Sequence, residues 1–293
     1  MIWRLGDRVL DFRARVQVMG ILNVTPDSFY DGGRYADPGA AVEQALRLVE
    51  EGADLIDVGG ESSRPPVYGQ AATVPVAEEC RRVLPVIEGI RRQSPIPLSI
   101  DTVKAEVAAR ALDLGADVVN DISALRDDPG MLAVVAAAGV PVILMHRRGS
   151  PTTMQQDTHY DDLLAEVRRF LEERVAVARA GGVAEGRIAV DPGLGFGKSP
   201  EGNLQLVREL GFLAPLDCPV LVGASRKSFI WKTLGLSPAE GLEGSLAVAA
   251  LCVAGGAHLL RVHDVRATVR VVRMAEAVVR PAPAPEDGRQ VPR

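Results

Sequence analysis

The sequence of 293 residues is poor in lysine, although it is not poor in basic residues. Of its 33 basic residues only four are lysines, at positions 104, 198, 227 and 232. Lysine and arginine are not interchangeable, so a lysine kept in so arginine-rich a chain hints that a compact, titratable ammonium is needed there. Chance retention is the alternative for any single one of the four.

Cysteine and histidine are also scarce. Cys80, Cys218 and Cys252 are odd in number, lie far apart and form no Cys-x-x-Cys pair. This pattern favours buried, reduced thiols in a cytoplasmic protein over a disulfide framework or a redox site. The four histidines show none of the HxH, HxxxH or HExxH spacings that are typical of zinc sites, so no zinc site is predicted.

Long apolar runs are missing as well. No run reaches the ~18 residues of a transmembrane helix, and the N-terminus lacks the apolar segment of a signal peptide. The net charge of −5 provides no general attraction to nucleic acid. The 47% of hydrophobic residues suffices for a large core. We therefore expect a cytoplasmic protein whose partners include neither a membrane nor nucleic acid.

Apolar strand patterns and helical patterns alternate eight times along the chain. The predicted strands are Arg15–Leu22, Asp54–Val58, Pro97–Ile100, Asp117–Val119, Val140–Met145, Arg187–Val190, Pro219–Val222 and His258–Val262. The predicted helices are Gly39–Gly52, Val76–Gln93, Val103–Leu114, Asp128–Ala138, Asp161–Arg179, Pro200–Leu210, Gly241–Ala254 and Val265–Val279.

Short helix-to-strand joins and long polar strand-to-helix joins are typical of an α/β fold of the (β/α)8 TIM barrel type. An open doubly wound sheet is the alternative, but it should have fewer strands and a GxGxxG turn after the first one. We expect an N-terminal arm over residues 1–14 and a single barrel domain over residues 15–280. Residues 281–293 have the composition of a disordered tail.

Polar side chains follow the predicted strands, most clearly in GRIAVDPGLGFGKS at 186–199. The strand ends of a TIM barrel share one face, so these side chains should converge there. The acids and amides are Asn23, Asp57, Asp101, Asn120, Asp121 and Asp191, the cations are Arg64, Lys227, Arg261 and His263, and the apolar walls are Phe29, Met145 and Phe196. Asp57 and Asp121 also fit a supporting or helix-capping role. Converging charges must pair with each other or with a ligand.

Three further patterns indicate what such a ligand would be. The loop GASRKS at 223–228 places Arg226 and Lys227 beside backbone amides, which suits a phosphate or a heterocycle carbonyl. Arg261 and His263 alternate at the last strand end, where TIM barrels commonly hold phosphate. Asn23 and the acids of the loop after it suit Mg²⁺ carried in with a diphosphate. No pairing of a nucleophile with a base is evident.

Nine motifs together resemble the dihydropteroate synthase family, in family order from about residue 15 to residue 279. They are MGILNVTPDSFYDGG (19–33), DVGGESSRP (57–65), SIDT (99–102), NDI (120–122), LMH (144–146), TTMQ (152–155), DPGLGFGK (191–198), GASRKS (223–228) and RVHDV (261–265). The resemblance implies a TIM barrel that joins para-aminobenzoate to 6-hydroxymethyl-7,8-dihydropterin diphosphate. It also implies release of diphosphate with Mg²⁺, formation of 7,8-dihydropteroate for folate synthesis, and a homodimer built on the last helices.

The resemblance also implies roles for individual residues. The pterin ring would be contacted by Asp101, Asn120, Asp191 and Lys227, with Met145 and Arg261 on its two faces. The diphosphate would be held by Asn23, Arg261 and His263, with Mg²⁺ at Asn23 and Asp31. Val262, between the last two, is a further substrate-binding residue. The aminobenzoate pocket would consist of Phe29, Ser63, Pro65, Phe196, Lys227 and Ser228. Arg64, in the same loop as Ser63 and Pro65, is a further substrate-binding residue. The catalytic set is Asn23, Lys227, Arg261 and His263. From the arrangement of the strand ends, Lys198 is expected to be either a structural cation or a cation that supports the ligand-binding residues.

Two departures from the family pattern affect the aminobenzoate loop. Ser63 stands where the family usually has Thr, and Pro66 stands where it usually has Gly. Two other functions stay open: a pterin-binding methyltransferase of the same superfamily and a non-catalytic pterin-binding paralogue. The methyltransferase has little use for Lys227 or for the Arg261–His263 pair, and the paralogue would be expected to have lost them.

Overall fold

The structure is a computed structural model that describes residues 1–25, 37–61, 74–150 and 153–279. These residues contain a two-stranded N-terminal hairpin and an eight-stranded parallel sheet. The hairpin consists of β1 (Ile2–Leu5) and β2 (Arg8–Asp11). The sheet consists of β3 (Gln17–Asn23), β4 (Leu55–Gly59), β5 (Leu98–Asp101), β6 (Val118–Asp121), β7 (Val142–Met145), β8 (Ile188–Asp191), β9 (Leu221–Val222) and β10 (Leu259–Val262).

Nine α-helices lie in the same described ranges. They are α1 (Pro38–Glu50), α2 (Val76–Arg91), α3 (Ala105–Asp113), α4 (Met131–Ala138), α5 (Leu163–Ala180), α6 (Pro200–Arg208), α7 (Ser228–Leu234), α8 (Leu242–Ala254) and α9 (Val265–Val279). Eight of them correspond to predicted helices, with ends that differ by a few residues. The helix α7 was not predicted, because seven residues are too few for a clear helical period.

The parallel sheet closes into the predicted TIM barrel. The order of the strands is β8, β7, β6, β5, β4, β3, β10, β9. A parallel bridge joins Val190, in β8, to Val220, the residue directly before β9, so the two ends of this order meet. The Val190 N–H donates to the Pro219 carbonyl at 2.9 Å across the same seam. The (β/α)8 fold is therefore confirmed.

Four helix-to-strand joins share one backbone geometry. Gly52, Gly115, Gly182 and Gly256 have φ between +96° and +101°. In each join the N–H of the next residue donates to a helix carbonyl five residues earlier, at 2.9 to 3.0 Å. Left-handed glycines ending a helix with such bonds produce an abrupt stop. The joins at this end are consequently short, which leaves the long connections and the site to the opposite end.

The hairpin closes the bottom of the barrel. Trp3, Leu5, Leu10 and Phe12 are buried, and they pack against the side chains that point inward from the first residues of the strands. These inward residues include Met19, Leu55, Val118, Ile143, Ala189, Leu221 and Leu259. A larger apolar layer packs between the strands and the surrounding helices. The bottom is thus sealed, and polar groups can be accommodated only at the top.

The cysteines and the helices bear on two further sequence-based expectations. Cys80, Cys218 and Cys252 are buried and free of disulfide bonds. Burial raises the pKa of Cys218 to about 11 and that of Cys252 to about 12, so both stay protonated at neutral pH. In the described ranges no helix combines the length and the apolar character that crossing a membrane requires.

Candidate active site

Side chains from seven strands meet at the top of the barrel. They are Asn23 on β3, Asp57 on β4, Asp101 on β5, Asn120 on β6, Met145 on β7, Asp191 on β8 and Arg261 on β10. Each lies in the last three positions of its strand, because the carboxyl ends of parallel strands all point to one face. All seven were predicted to project toward this face.

Arg261 is the centre of a network of charges at this face. Its Nε donates to Asp57 Oδ2 at 2.5 Å, and a terminal nitrogen donates to Asp101 Oδ2 at 2.6 Å. Asn120 Nδ2 donates to the same Asp57 oxygen at 3.1 Å. The Asp57 side chain is completely buried, so its role is to orient Arg261 and Asn120. Asp101 is the more exposed of the two carboxylates, with a side chain that is 12% exposed.

Asp121, at the end of β6, has a different supporting role. Its two carboxylate oxygens accept hydrogen bonds from the backbone N–H groups of Ser123 and Leu125, at 2.7 and 2.8 Å. Burial raises its pKa, and these bonds oppose the shift. Asp121 therefore fixes the loop after β6 and leaves Asn120 as the residue of that strand that faces the site.

Burial raises the pKa of both carboxyl groups that remain. The pKa of Asp101 is raised to about 7 against the opposing effect of Arg261. The pKa of Asp191 is raised as well, although Lys227 lowers it, as does the Gly193 N–H that donates to Oδ1 at 2.7 Å. Strongly shifted carboxyl groups beside buried cations are concentrated at functional sites.

Lys227 reaches the same space from the loop after β9. Its Nζ donates to the Leu194 carbonyl and lies 4.5 Å from the centroid of the Phe196 ring. Burial lowers the pKa of Lys227 to about 8, and the nearby Asp191 is the largest influence in the other direction. The ammonium form therefore still dominates at neutral pH, in a position where its charge is only partly compensated.

The partners of Lys227 belong to a turn rich in glycine, residues 192–197, which we call the glycine turn. Gly193, Gly195 and Gly197 have φ of +68°, +82° and +70°. A Cβ added to Gly193 would lie 2.0 Å from the carbonyl oxygen of His146, so a larger residue does not fit. Glycine is required here because the chain must combine left-handed torsions with close backbone contact.

An apolar wall borders the polar groups. Met145 and Phe196 are buried together with Met154, and Ile122 packs against them. Sequence reasoning identified Met145 and Phe196 but overlooked the other two. The signal was present, since Ile122 lies in the NDI motif and Met154 in the TTMQ motif.

His263 and Asn23 lie at the rim of the site, at the ends of β10 and β3. The backbone N–H of His263 donates to Ser225 Oγ at 3.2 Å, and its Nδ1 lies 3.1 Å from the same oxygen. Ser225 was not predicted as a partner, although it belongs to the GASRKS loop. Asn23 is half-buried, and its side chain makes no hydrogen bond to another residue within the described ranges. It is thus available to a ligand.

Three further residues of the last two strand ends and the loop between them are Val262, Ser228 and Arg226. Val262 alternates with Arg261 along β10, so its side chain packs into the apolar layer behind the barrel. Ser228 is exposed at the start of α7. The Arg226 guanidinium is half-exposed and pairs with Asp264 at 2.6 Å. The remaining predicted residues, Phe29, Asp31, Ser63, Arg64 and Pro65, and also Pro66, lie outside the described residues.

Asn23 fits a metal ion only in combination with a ligand. In the part of the chain that the structure describes, no three His, Cys, Asp or Glu residues are grouped to hold a metal. Mg²⁺, however, commonly takes one or two protein oxygens and completes its shell with phosphates and waters. The Asn23 amide oxygen, which has no hydrogen-bond partner among the described residues, is one such oxygen.

Comparisons with known proteins agree with this geometry. Residues 19–263 match the family model described as pterin binding enzyme. A dihydropteroate synthase from Synechocystis sp. is 47% identical over 277 residues, covering 94% of each chain. These are similarities of sequence over almost the whole chain.

Solved structures give the same result. The dihydropteroate synthase of Xanthomonas albilineans with 4-aminobenzoic acid superposes with a TM-score of 0.88 at 48% identity, covering 96% of this chain and 99% of that one. The same enzyme in complex with 7,8-dihydropteroate gives 0.86 at 46% identity, covering 96% of this chain and 100% of that one. The chain therefore belongs to the pterin-binding enzyme family and, within it, to the dihydropteroate synthases, which are transferases.

Proposed function

We propose that the chain joins para-aminobenzoate to 6-hydroxymethyl-7,8-dihydropterin diphosphate, giving 7,8-dihydropteroate and diphosphate for folate synthesis. The observation that carries this proposal is the convergence of Asp101, Asn120, Asp191 and Lys227 on one space at the top of the barrel. Two acids, an amide and an ammonium are the groups that a flat heterocycle with several N–H donors and one carbonyl requires. The relative that is solved with 7,8-dihydropteroate supports it as well.

The pterin ring is recognised through its edges. The 2-amino and ring N–H groups donate to the Asp191 and Asp101 carboxylates and to the Asn120 carbonyl oxygen, whose amide nitrogen is already occupied by Asp57. The 4-oxo group accepts from the Lys227 ammonium. Such a site discriminates strongly, because an analogue that lacks one of these groups leaves a buried polar atom unpaired.

The faces of the ring are held by Met145 on one side and Arg261 on the other. Arg261 can perform this task because Asp57 and Asp101 fix the plane of its guanidinium. A guanidinium stacks well on a flat ring while its edge keeps its ionic partners. The same cation contributes positive charge to the diphosphate side of the site.

The diphosphate is held by Asn23, Arg261 and His263. Asn23 and Asp31 would also hold Mg²⁺, which when bound neutralises charge on the diphosphate. His263 is fixed by Ser225, so its ring has a defined orientation toward the rim. Positive charge near the leaving group stabilises the charge that develops as diphosphate departs.

The reaction is a dissociative displacement. The C–O bond to diphosphate breaks and its electron pair leaves with the diphosphate, which makes the pterin methylene carbon cationic. The lone pair of the aminobenzoate nitrogen then forms the C–N bond, and the surplus proton of that nitrogen passes to solvent. An aniline nitrogen is nucleophilic without deprotonation, so the chain needs no general base at this point.

The aminobenzoate approaches from the side of Phe196, Lys227 and Ser228. The Phe196 ring offers an apolar surface, and the exposed N-terminal residue of α7 offers a hydroxyl near the solvent. Phe29, Ser63, Arg64 and Pro65 complete this pocket by prediction, and they lie outside the described residues. The relative solved with 4-aminobenzoic acid supports a pocket for that ligand in the family.

A homodimer and a cytoplasmic location form part of the same proposal. Leu251 on α8 and Met274 and Val278 on α9 are 59%, 64% and 72% exposed, which is unusual for large apolar side chains. They lie on the last two helices, where the resemblance to the family implies an interface. Sedimentation of the chain and of a Met274→Asp variant tests this: a dimer that the substitution weakens is expected, and a monomeric wild type would contradict it.

The function is tested by following the product. The purified chain is incubated with 6-hydroxymethyl-7,8-dihydropterin diphosphate, para-aminobenzoate and Mg²⁺, and the mixture is analysed by mass spectrometry. Formation of 7,8-dihydropteroate is expected. Consumption of the pterin substrate without this product would contradict the proposal, and so would the absence of any turnover in a chain that still binds the pterin.

A further inference from the structure

The Lys198 ammonium lies in a cage of acceptors beneath the site. The residue is 2% exposed. Its Nζ lies 2.9 Å from the Gly193 and Phe196 carbonyl oxygens, 3.2 Å from the His146 carbonyl oxygen and 2.8 Å from His146 Nδ1. Four acceptors face a group that has three N–H bonds, so the cage saturates the ammonium completely. Burial lowers the pKa of Lys198 well below its usual value, and the charge of Asp191 is the largest opposing influence, so the ammonium form depends on this saturation.

His146 accepts from Lys198 and is therefore neutral. Its Nδ1 points at the ammonium, which requires that this nitrogen carry no proton. Burial lowers the pKa of His146 to about 2, and the charge of Lys198 lowers it further. The imidazole also makes an edge-to-face contact with Phe170, at 4.9 Å between ring centroids. Its orientation is thus fixed from both sides.

The cage connects two loops that belong to different strands. His146 directly follows β7, whereas Gly193 and Phe196 belong to the glycine turn after β8. The His146 carbonyl oxygen packs so closely on the turn that Gly193 has no room for a side chain. Three carbonyl dipoles aimed at one point repel each other unless a cation lies between them. Lys198 is that cation.

The glycine turn also contains the groups that contact Asp191 and Lys227. The Gly193 N–H donates to Asp191, the Leu194 carbonyl accepts from Lys227, and the Phe196 ring lies beside the Lys227 ammonium. We propose that Lys198 is a positioning residue: by clamping the glycine turn to the loop after β7, it sets Lys227 and Phe196 at the distances that the condensation requires. The inference rests on the proposed function, since it assigns a task to a residue beneath that same site.

Other contacts keep the turn attached when Lys198 is changed. Gln155 Nε2 donates to the Gly195 carbonyl at 2.8 Å, and the Tyr160 hydroxyl donates to the Gly197 carbonyl at 2.9 Å. Within the described ranges, the hydrogen bonds of the Asp101, Asn120 and Arg261 side chains join these residues to each other and to Asp57 and do not involve the cage. Removal of the ammonium should therefore shift Leu194 and Phe196 without dismantling the network around Arg261.

The test compares Lys198→Met and Lys198→Gln with Lys232→Met, which makes the same change at an exposed lysine. Steady-state kinetics with both substrates and direct calorimetric binding of the pterin are measured for each folded variant. We expect Lys198→Met to lose kcat on the order of 10²-fold, since an ångström of misplacement has such an effect. Its aminobenzoate KM should rise by more than its pterin Kd, Lys198→Gln should fall between, and Lys232→Met should match the wild type.

Folded Lys198→Met with wild-type kcat and aminobenzoate KM would overturn the proposal, while product formation by the wild type would leave the proposed function standing. If neither Lys198 variant folds, the proposal is tested on the wild-type protein by the protonation state of His146. Nitrogen-15 NMR should show His146 neutral at pH 5 with an unprotonated, hydrogen-bonded Nδ1. A protonated His146, or a proton on Nδ1, would contradict the cage and with it the positioning role.

Discussion

Replacement of Lys227 by methionine is the most informative single perturbation of the site. It removes the ammonium and keeps an unbranched side chain of similar length. Two described interactions are lost, the hydrogen bond to the Leu194 carbonyl and the contact with the Phe196 ring. A charged hydrogen bond contributes about 1.5–3 kcal/mol and a buried cation–π contact about 0.5–2 kcal/mol.

The same ammonium is expected to hold the 4-oxo group of the pterin in the transition state. A loss of about 3–4 kcal/mol there corresponds to a decrease of roughly 10²- to 10³-fold in kcat/KM. The assay is the initial rate of dihydropteroate formation, with Lys232→Met as the control for a lost lysine at an exposed position. Activity of Lys227→Met within about threefold of the wild type, with unchanged pterin binding, would refute this reasoning.

Four further predictions concern pH and stability. Burial raises the pKa of Asp101 to about 7 and lowers that of Lys227 to about 8, so kcat/KM for the pterin should be bell-shaped with limbs near these values, and Asp101→Asn should lose the acid limb. The folded protein keeps the Asp101 proton to a higher pH than the unfolded chain does. This carboxyl therefore stabilises the fold below pH ~4, and its contribution to the free energy of unfolding disappears as pH rises through about 7. Urea unfolding of the wild type and Asp101→Asn across this window should reveal the difference, and parallel pH dependences of the two proteins would contradict it. Asp57→Ala leaves Arg261 with a single carboxylate and should destabilise the fold by about 3–5 kcal/mol in urea titrations while it weakens pterin binding; unaltered stability would mean that the pair is not truly buried. Trp3→Ala opens the seal at the bottom of the barrel and should cost about 3–5 kcal/mol of unfolding free energy with kcat unchanged at low temperature, whereas a loss of kcat without a loss of stability would contradict the separation of seal and site.

The sequence predicts the site because a barrel places strand ends together, so the position of a residue within its strand determines its face. Asp101, Asn120, Asp191 and Arg261 could be selected for that reason alone. Position within a strand does not reveal which charges pair, since pairing depends on the register between neighbouring strands. Arg226 illustrates this, because its partner Asp264 follows the neighbouring strand β10.

Local patterns also fail where a contact joins distant segments. The cage around Lys198 combines residues 146, 193 and 196, and no spacing within either motif indicates that they meet. The helix α7 was missed for a different reason, since its seven residues complete fewer than two turns and bury only Phe229 and Ile230. The scarcity of lysine was a useful guide. The Lys104 ammonium pairs with Glu61 and Glu79, the Lys198 ammonium has four acceptors, and the Lys227 ammonium contacts the Leu194 carbonyl and the Phe196 ring, whereas Lys232 alone of the four is exposed.

The central claim is that this site couples departure of diphosphate to attack by para-aminobenzoate. The most direct test measures diphosphate release while each component, the pterin diphosphate, para-aminobenzoate or Mg²⁺, is omitted in turn. The account predicts rapid release only in the complete mixture, with one dihydropteroate formed for each diphosphate. Release that proceeds at the same rate without para-aminobenzoate would contradict it, because the chain would then be a hydrolase of the pterin diphosphate.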